Sequence, residues 1–385
     1  MSVVGIDTLS EKQFLEMSQL WADLLSQSPA NEIFLSWEWM HAWWKIHSAP
    51  DKALYILLGR NEHGEAIGIA PLYLQTHSFF SLYTRKVMRF CSAADTAPDH
   101  LDFICRPEYR DDFVKAFFSY LQETFLDWDV LHLTALAEDS PLLKFLSAHP
   151  FPPSRFQAHF GAFSTCPYLP IDRSFQEYLA TWPRTRRNLL SRKKKALFRR
   201  PSVSHRLVTC PDNPHTELDL LVRLHEERTR TKGRTSPFLR QSSRQFHYCL
   251  TAALAPHGKV HFHYLHDGSH PLAAYYCFKH ANKYYYYQSG LSRLGLETSA
   301  GTVLLSLVVQ TAFEQLCGEF DFLRGNEAYK SFWTDKVRTN YEIFIARNTI
   351  SGRVESARRA LRSRFRRILH TVRKPNETAS PGKRR

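Results

Sequence analysis

Two rhythms of apolar and polar positions run along the chain, one of about 3.6 residues and one of two, and they sort it into helices and strands. The first half opens with helical stretches, among them the tryptophan-rich SWEWMHAWWKIH (36–47). ALYILLGR (53–60) and EAIGIAPLYLQ (65–75) flank the turn NEHG and predict a hairpin. KVMRFC (86–91) predicts a third strand leading into the polar turn SAADTAPDHLDFI (92–104), followed by a helix from Glu108 to Phe125 and the strand WDVLHL (128–133). AHPFPPSRF (148–156), rich in proline, marks a boundary or crossing loop.

The second half opens with a long helical pattern, FQEYLATWPRTRRNLLSRKKKALFRR (175–200), in which Pro183 predicts a break. A short strand, VSHRLV (203–208), precedes the helix TELDLLVRLHEERTR (216–230) and another from Ser242 to Ala255. KVHFHYLH, PLAAYYCFKH and NKYYYYQSG (259–290) read as three strands of a meander joined by short turns. A polar loop, GLSRLGLETSAG (290–301), feeds the apolar helix TVLLSLVVQTAFEQL; EFDFL (319–323) and YEIFIARN (341–348) are the last strands. The halves echo each other, helices and then a hairpin turning at glycine, which predicts an internally duplicated α/β unit. In 351–374, Val354, Ala357, Leu361, Phe365, Ile368 and Val372 fall on one helical face and arginines cover the other; beyond Pro375 the composition is that of a disordered tail.

Length changes this picture by implying two domains, since 385 residues exceed the size at which one core usually stops growing. The expected division is 1–165, 166–350, a basic amphipathic helix at 351–374 and a tail at 375–385. Seven cysteines without a CxxC pair argue for reduced thiols, neither a disulfide scaffold nor a zinc site, and no metal is expected. The N-terminal stretch lacks the basic and apolar regions of a secretory signal, and no apolar run reaches the ~20 residues that span a bilayer. The expectation is a soluble cytoplasmic protein.

Charge is concentrated. Residues 353–385 carry twelve Lys/Arg against two Glu, and 184–200 carry nine basic residues and no acid; with +14 overall, the remainder stands at −5. Runs of this kind are most often solvated helix faces. The 184–200 run can alternatively attract an anionic substrate, and the tail helix suits peripheral contact with an anionic membrane face or nucleic acid.

Two stretches carry candidate chemistry. In YYYYQSGLSRLGLETSAGTVLL a strand ends at Gly290 and a helix starts near Ser299, a candidate N-cap. Free amides at a helix start attract anions, and Gly301 allows close approach, which suits a pyrophosphate; an ordinary strand-to-helix turn is the plainer alternative. Neither a Walker A nor a dinucleotide glycine pattern is present. In FDFLRGNEAYKSFW (320–333), Glu327 and Lys330 stand three apart and would share one face of a helical turn, as acid–base machinery or as a surface ion pair. Asp321, inside a strand, is a candidate base or a scaffold residue capping a backbone amide.

The series Gly290, SAG before an apolar helix, Gly318 and then FDFLRGNEAYKSFW resembles the C-terminal signature of the GNAT acyltransferase superfamily. Within it, the match is to the double-domain FemAB/CelD-like branch, related to cellulose-biosynthesis acetyltransferases. Asp321, Gly325, Glu327, Tyr329, Lys330 and Trp333 occupy the positions of that signature, LHEERTRTKGRTSPF (224–238) matches its helix and loop, and DHLDFI (99–104) matches an acidic element of its first domain. The resemblance extends to about Asn348.

It implies an α/β fold of tandem GNAT-like domains with mixed, mostly antiparallel sheets flanked by helices. It also implies transfer of an acyl group from acetyl-CoA or another acyl-CoA to an amine or hydroxyl of an envelope, polysaccharide or small-molecule acceptor. The donor would lie along Tyr287, Gln288, Ser289 and Gly290 and over Ser292–Gly301, including Ser299, Ala300 and Gly301, with Arg293 either paired with a phosphate or simply solvent-exposed. Lys330 and Glu327 would be catalytic, with Asp321 behind them; Arg324, Tyr329 and Trp333 would bind substrate, as would Asp99 and Asp102 unless they are solvated loop residues. Alternatives are a Fem-like transferase using aminoacyl-tRNA, against which stands the missing helical-hairpin arm, and a non-catalytic adaptor docking through the basic tail on membrane or nucleic acid.

Overall fold

The structure, a computed structural model, describes residues 5–79, 83–93, 95–149, 151–211, 213–231 and 233–360. The basic helix expected at 351–374 is described only as far as 360, where residues 350–360 are helical; the expected tail at 375–385 lies outside the described residues.

Thirteen strands are present among the described residues: β1 Gly5–Leu9, β2 Lys52–Arg60, β3 Ala66–Phe79, β4 Tyr83–Phe90, β5 Ile104–Cys105, β6 Val130–Leu136, β7 Phe156–Pro170, β8 Val203–Val208, β9 Val260–Asp267, β10 His270–His280, β11 Lys283–Leu291, β12 Glu319–Asp321 and β13 Val337–Arg347. They form one sheet in the order β1-β2-β3-β4-β6-β13-β7-β12-β11-β10-β9-β8, with β5 paired to β3. The order reads alike from both ends. Each half has an antiparallel meander of four strands, then one parallel neighbour reached by a crossover: β4–β6 in the first half, β11–β12 in the second. The long strands β7 and β13 pair antiparallel at the centre, each next to the other half's parallel strand. The echo seen in the sequence is therefore present in the topology.

Local chemistry sets the elements. The β2–β3 hairpin turns where Gly64 takes φ +79, a conformation a side chain would strain, and the Asn61 side chain accepts from the amides of His63 and Glu65, both at 3.0 Å. The helical pattern at 175–200 breaks at Pro183 into Phe175–Ala180 and Arg184–Phe198. β7 was not expected. Its sequence, FQAHFGAFSTCPYLP, mixes glycine, serine and threonine, and most of its first half is exposed, so no buried face imposes a period of two. What holds it is the ladder to β13, which runs from Phe156↔Arg347 to Pro167↔Val337.

The tyrosines of β11 show how the sheet is covered. Tyr284 and Tyr286 point to a core completed by helix Ala300–Glu314, and Tyr285 to a core shared with helices Pro214–Thr231 and Gln241–Leu254. Helix Trp37–His47 of the first half also packs on that second face, where Trp39 meets the rings of Phe246, Phe278 and Tyr287 at 5.4, 5.6 and 5.7 Å. The two halves thus share one core. Among the described residues, no helix is long and apolar enough to cross a membrane.

Candidate active site

β11 and β12 run in parallel for only three registered pairs, ending at Tyr285↔Asp321. Past that point β11 continues along β10 with a bulge at Tyr287, while the chain after β12 turns toward β7, where the Phe322 and Gly325 amides donate to Pro167 and Thr165 carbonyls at 3.0 Å each. The strands part, and two adjoining cavities open in the fork. One, of about 230 Å³, runs beside the start of helix Ala300–Glu314 and is walled by Tyr275, Leu291, Leu296, Leu305 and Trp333. The other, of about 440 Å³, is polar and reaches Asp99, Arg324, Glu327 and Lys330. Arg228, Tyr286 and Tyr329 line both.

The 321–333 segment is held rigidly at the floor of this fork. Asp321, fully buried, accepts from the Leu323 amide at 2.7 Å and pairs with His100 Nε2 at 2.9 Å. Burial works against both charges, but each stabilises the other: the His100 pKa is held above its usual value and the Asp321 carboxyl well below the carboxylate range. Asp321 lines neither cavity. Asp99, also fully buried, accepts from the Arg324 amide at 3.0 Å, from Arg324 Nε at 2.9 Å and from Asn340 Nδ2 at 2.8 Å.

Glu327 and Lys330 do share one turn: Glu327 precedes the short helix Ala328–Ser331, and Lys330 Nζ lies 3.1 Å from Glu327 Oε2. Lys330 is nearly fully buried and also donates to the carbonyls of Leu323 at 3.0 Å and Arg324 at 2.6 Å. All three ammonium N–H groups are therefore occupied. Glu327 is half exposed at the cavity rim.

The other expected residues fall into place unevenly. Tyr287, Gln288, Ser289 and Arg324 line the larger cavity, Ser299, Gly301 and Trp333 the smaller, and Tyr329 both. Gly290, Arg293 and Ala300 line neither. A Cβ on Gly290 would lie 2.6 Å from the His225 amide nitrogen, so its smallness serves the close approach of β11 to helix Pro214–Thr231. Arg293 is exposed and pairs with Glu297 at 3.3 Å. Ser299 takes a left-handed φ of 58 and makes no side-chain cap; the expected polar loop instead contains a turn of helix, Arg293–Glu297, capped by Ser292 through the Gly295 amide at 3.1 Å. Asp102 is not brought to the fork. It faces a separate cavity of about 300 Å³, bonded to Ser140 Oγ at 3.0 Å and the Phe103 amide at 2.8 Å, and burial raises its pKa to about 7.

Sequence reasoning missed Arg228, Tyr275, Tyr286 and Arg234; His225 reads there as a structural residue of its helix. Arg228 follows Leu221 and Leu224 by seven and four residues, so it occupies the apolar face of its helix, which was the available signal. Its Nη1 donates to Ser289 Oγ and faces the Ser289 carbonyl at 3.5 Å. Burial opposes its charge, yet the surrounding Tyr286, Tyr275 and Tyr329 hydroxyls hold its pKa above the usual arginine value. The Tyr286 hydroxyl donates to Ser289 Oγ at 2.8 Å and that of Tyr275 to the Gly301 carbonyl at 2.7 Å. Burial pushes the Tyr329 phenol far up, so it stays protonated at neutral pH. His225, bonded to Ser236 Oγ at 2.9 Å, is lowered to about 4 by burial and by Arg228, and is neutral.

Residues 184–331 match the family model described as an acetyltransferase (GNAT) domain. The chain is similar in fold to FemX, with 12% identity and a TM-score of 0.61 over 88% of this chain and 96% of that one. A Bacteroides thetaiotaomicron protein of unknown function matches at 10% identity and TM-score 0.55, covering 89% of this chain and all 100% of the other. The C-terminal domain of an Agrobacterium fabrum protein described as a lysylphosphatidylglycerol synthetase matches at 12% identity and TM-score 0.51, covering 90% and 96%. No curated protein sequence matches significantly. The fold is the mixed, mostly antiparallel α/β arrangement of tandem GNAT-like halves that the sequence motifs imply.

Proposed function

We propose that the protein is an acyltransferase that takes an acyl group from an acyl-CoA donor at the 230 Å³ cavity and delivers it to an amine or hydroxyl acceptor in the 440 Å³ cavity. The observation that carries this reading is the fork itself: parallel strands that part after Tyr285↔Asp321 and open two cavities sharing three side chains. The residues present suit a CoA thioester. Helix Ala300–Glu314 begins without a side-chain cap, which leaves its first amides for an anion, and Lys193 Nζ stands 3.4 Å from Thr302 Oγ1 at the same end. Ser299, Gly301 and Thr302 would meet the phosphates, with Tyr287–Ser289 alongside the pantetheine arm. The bound thioester supplies an activated carbonyl.

The chain's own groups then divide the proton work. Attack by the acceptor forms the new C–N or C–O bond and breaks the C–S bond. Glu327, at the rim of the acceptor cavity, is the group placed to receive the acceptor's proton. Tyr329, protonated and lining both cavities, can hydrogen-bond to the departing thiolate, which takes its proton from water or from the acid form of Glu327. Lys330 is a positioning residue that fixes the carbonyls of Leu323 and Arg324 and orients Glu327. We further propose that residues 1–165 and 166–350 act as the two halves of one enzyme, the first supplying Asp99 and the loop that holds Arg324.

Calorimetric titration with CoA tests the donor assignment. One site is expected, and at a hundredfold excess over Kd the folded state gains about 2.7 kcal/mol. No heat and no thermal shift would remove the CoA reading. Saturable, steeply salt-dependent tRNA binding by the same protein would instead favour a charged-tRNA donor, which the acid-free helix Arg184–Phe198 would accommodate.

A further inference from the structure

The charges around the larger cavity do not balance, and the imbalance describes what enters it. Its wall carries four cations, Arg228, Arg234, Arg324 and Lys330, against the carboxylates Asp99 and Glu327. Both carboxylates are taken: Asp99 by Arg324 at 2.9 Å and Glu327 by Lys330 at 3.1 Å. Among the described residues, neither Arg228 nor Arg234 has a carboxylate partner. Arg234 stands exposed at the mouth.

Arg228 lies deeper, between the two cavities. Its Nη1 donates to Ser289 and its side chain also bonds the Tyr286 hydroxyl, so its partners are neutral oxygens. A half-buried guanidinium with no counter-charge is costly to fold around, and its planar N–H groups, which line the cavity, suit the two oxygens of a carboxylate or phosphate. The donor's phosphates already have a place at the start of helix Ala300–Glu314 beside Lys193, which leaves Arg228 and Arg234 for the other substrate.

Resting on the acyltransferase reading above, we propose that the acceptor is an acid: a molecule bearing a carboxylate or phosphate close to its nucleophilic amine or hydroxyl, with that anion held by Arg228 and drawn in past Arg234. The neutral His225 beside it adds no competing charge.

The test uses the full chain and its Arg228→Gln and Arg228→Lys variants. First, melting temperatures are compared at saturating CoA with inorganic phosphate or acetate as the probe, against chloride at equal ionic strength. The wild type should gain from one of the two anions a shift that Arg228→Gln lacks and Arg228→Lys partly keeps; equal shifts in all three overturn the proposal. Second, thiol release from acetyl-CoA is followed with matched acceptors: amino acids against their amides, and phosphoethanolamine against ethanolamine. Preference for the charged member of either pair, lost about tenfold to a hundredfold in kcat/KM in Arg228→Gln, supports the proposal and says which anion is read. Equal use of charged and neutral members in both wild type and variant overturns it. A circular-dichroism spectrum and urea midpoint like those of the wild type show that Arg228→Gln is folded, a control independent of CoA because Arg228 also borders the donor cavity. A tenfold loss of CoA affinity with the anion shift retained would assign Arg228 to the donor and overturn the proposal. If the wild type binds no CoA, the donor reading fails, while an anion shift dependent on Arg228 still stands by itself.

Discussion

Replacing Lys330 by methionine should lower stability together with turnover, and the size of the effect follows from the contacts. The nearly buried ammonium gives hydrogen bonds of 3.0 and 2.6 Å to the carbonyls of Leu323 and Arg324 and pairs with Glu327 at 3.1 Å. Hydrogen bonds to charged groups contribute about 1.5–3 kcal/mol each, and stranding an acceptor in a buried site costs its desolvation. Glu327 is half exposed, so its share is discounted to under about 1 kcal/mol. The sum, less what the methionine side chain recovers by burial, is about 3–4 kcal/mol. With a urea m-value of at least about 3 kcal/mol/M for a chain of this size, the unfolding midpoint should fall by about 1 M. Tryptophan fluorescence reports it locally, because Trp333 is buried beside Trp182 at 5.1 Å between rings. Glu327→Gln is the companion: under about 1 kcal/mol of stability lost, but turnover reduced if Glu327 accepts the proton. A Lys330→Met protein that unfolds at the wild-type midpoint while losing activity would refute this reasoning, since the charge would then act on the substrate and not on the loop.

Other consequences are as specific. Gly290→Ala should push helix Pro214–Thr231 off β11, because the new Cβ meets the His225 amide nitrogen and Leu224 Cβ at 2.6 Å; a loss of about 1–3 kcal/mol is expected in denaturant titrations, against almost none for Gly161→Ala, whose nearest neighbour would be 3.6 Å away. The His100–Asp321 pair fixes a pH profile. The raised His100 pKa means its contribution is complete below about pH 6.5 and fades as pH rises through the folded value; the depressed Asp321 pKa means its contribution is present above about pH 4 and is lost in stronger acid. Melting temperatures from pH 6 to 9 should therefore fall more steeply for the wild type than for His100→Gln, and parallel curves would show that the pair is not coupled to folding.

Much of the architecture was legible where burial imposes a rhythm. YYYY in β11 alternates between two cores, and the apolar run 302–316 becomes the crossover helix between two parallel strands. The i,i+3 spacing of Glu327 and Lys330 anticipated a real contact. What stayed hidden depends on distant parts of the chain. β7 is specified by β13, about 180 residues later in sequence, rather than by a buried face of its own. Lys330 spends two of its hydrogen bonds on main-chain carbonyls, which no side-chain pattern announces. Gly290 reads as room for a ligand until the helix against it is in view. Arg228 lies on the apolar face of its helix, which signals burial, but nothing local says that this face lies over the fork.

The central claim is that the fork between β11 and β12 takes the acyl donor, and amide hydrogen exchange measured with and without acetyl-CoA tests it most directly. Slowed exchange centred on residues 286–302 and 322–333 is the predicted result, since those segments supply most of the walls of the two cavities. Unchanged exchange there, or protection centred instead on the separate cavity around Glu32, Asp102 and Glu138, would contradict it.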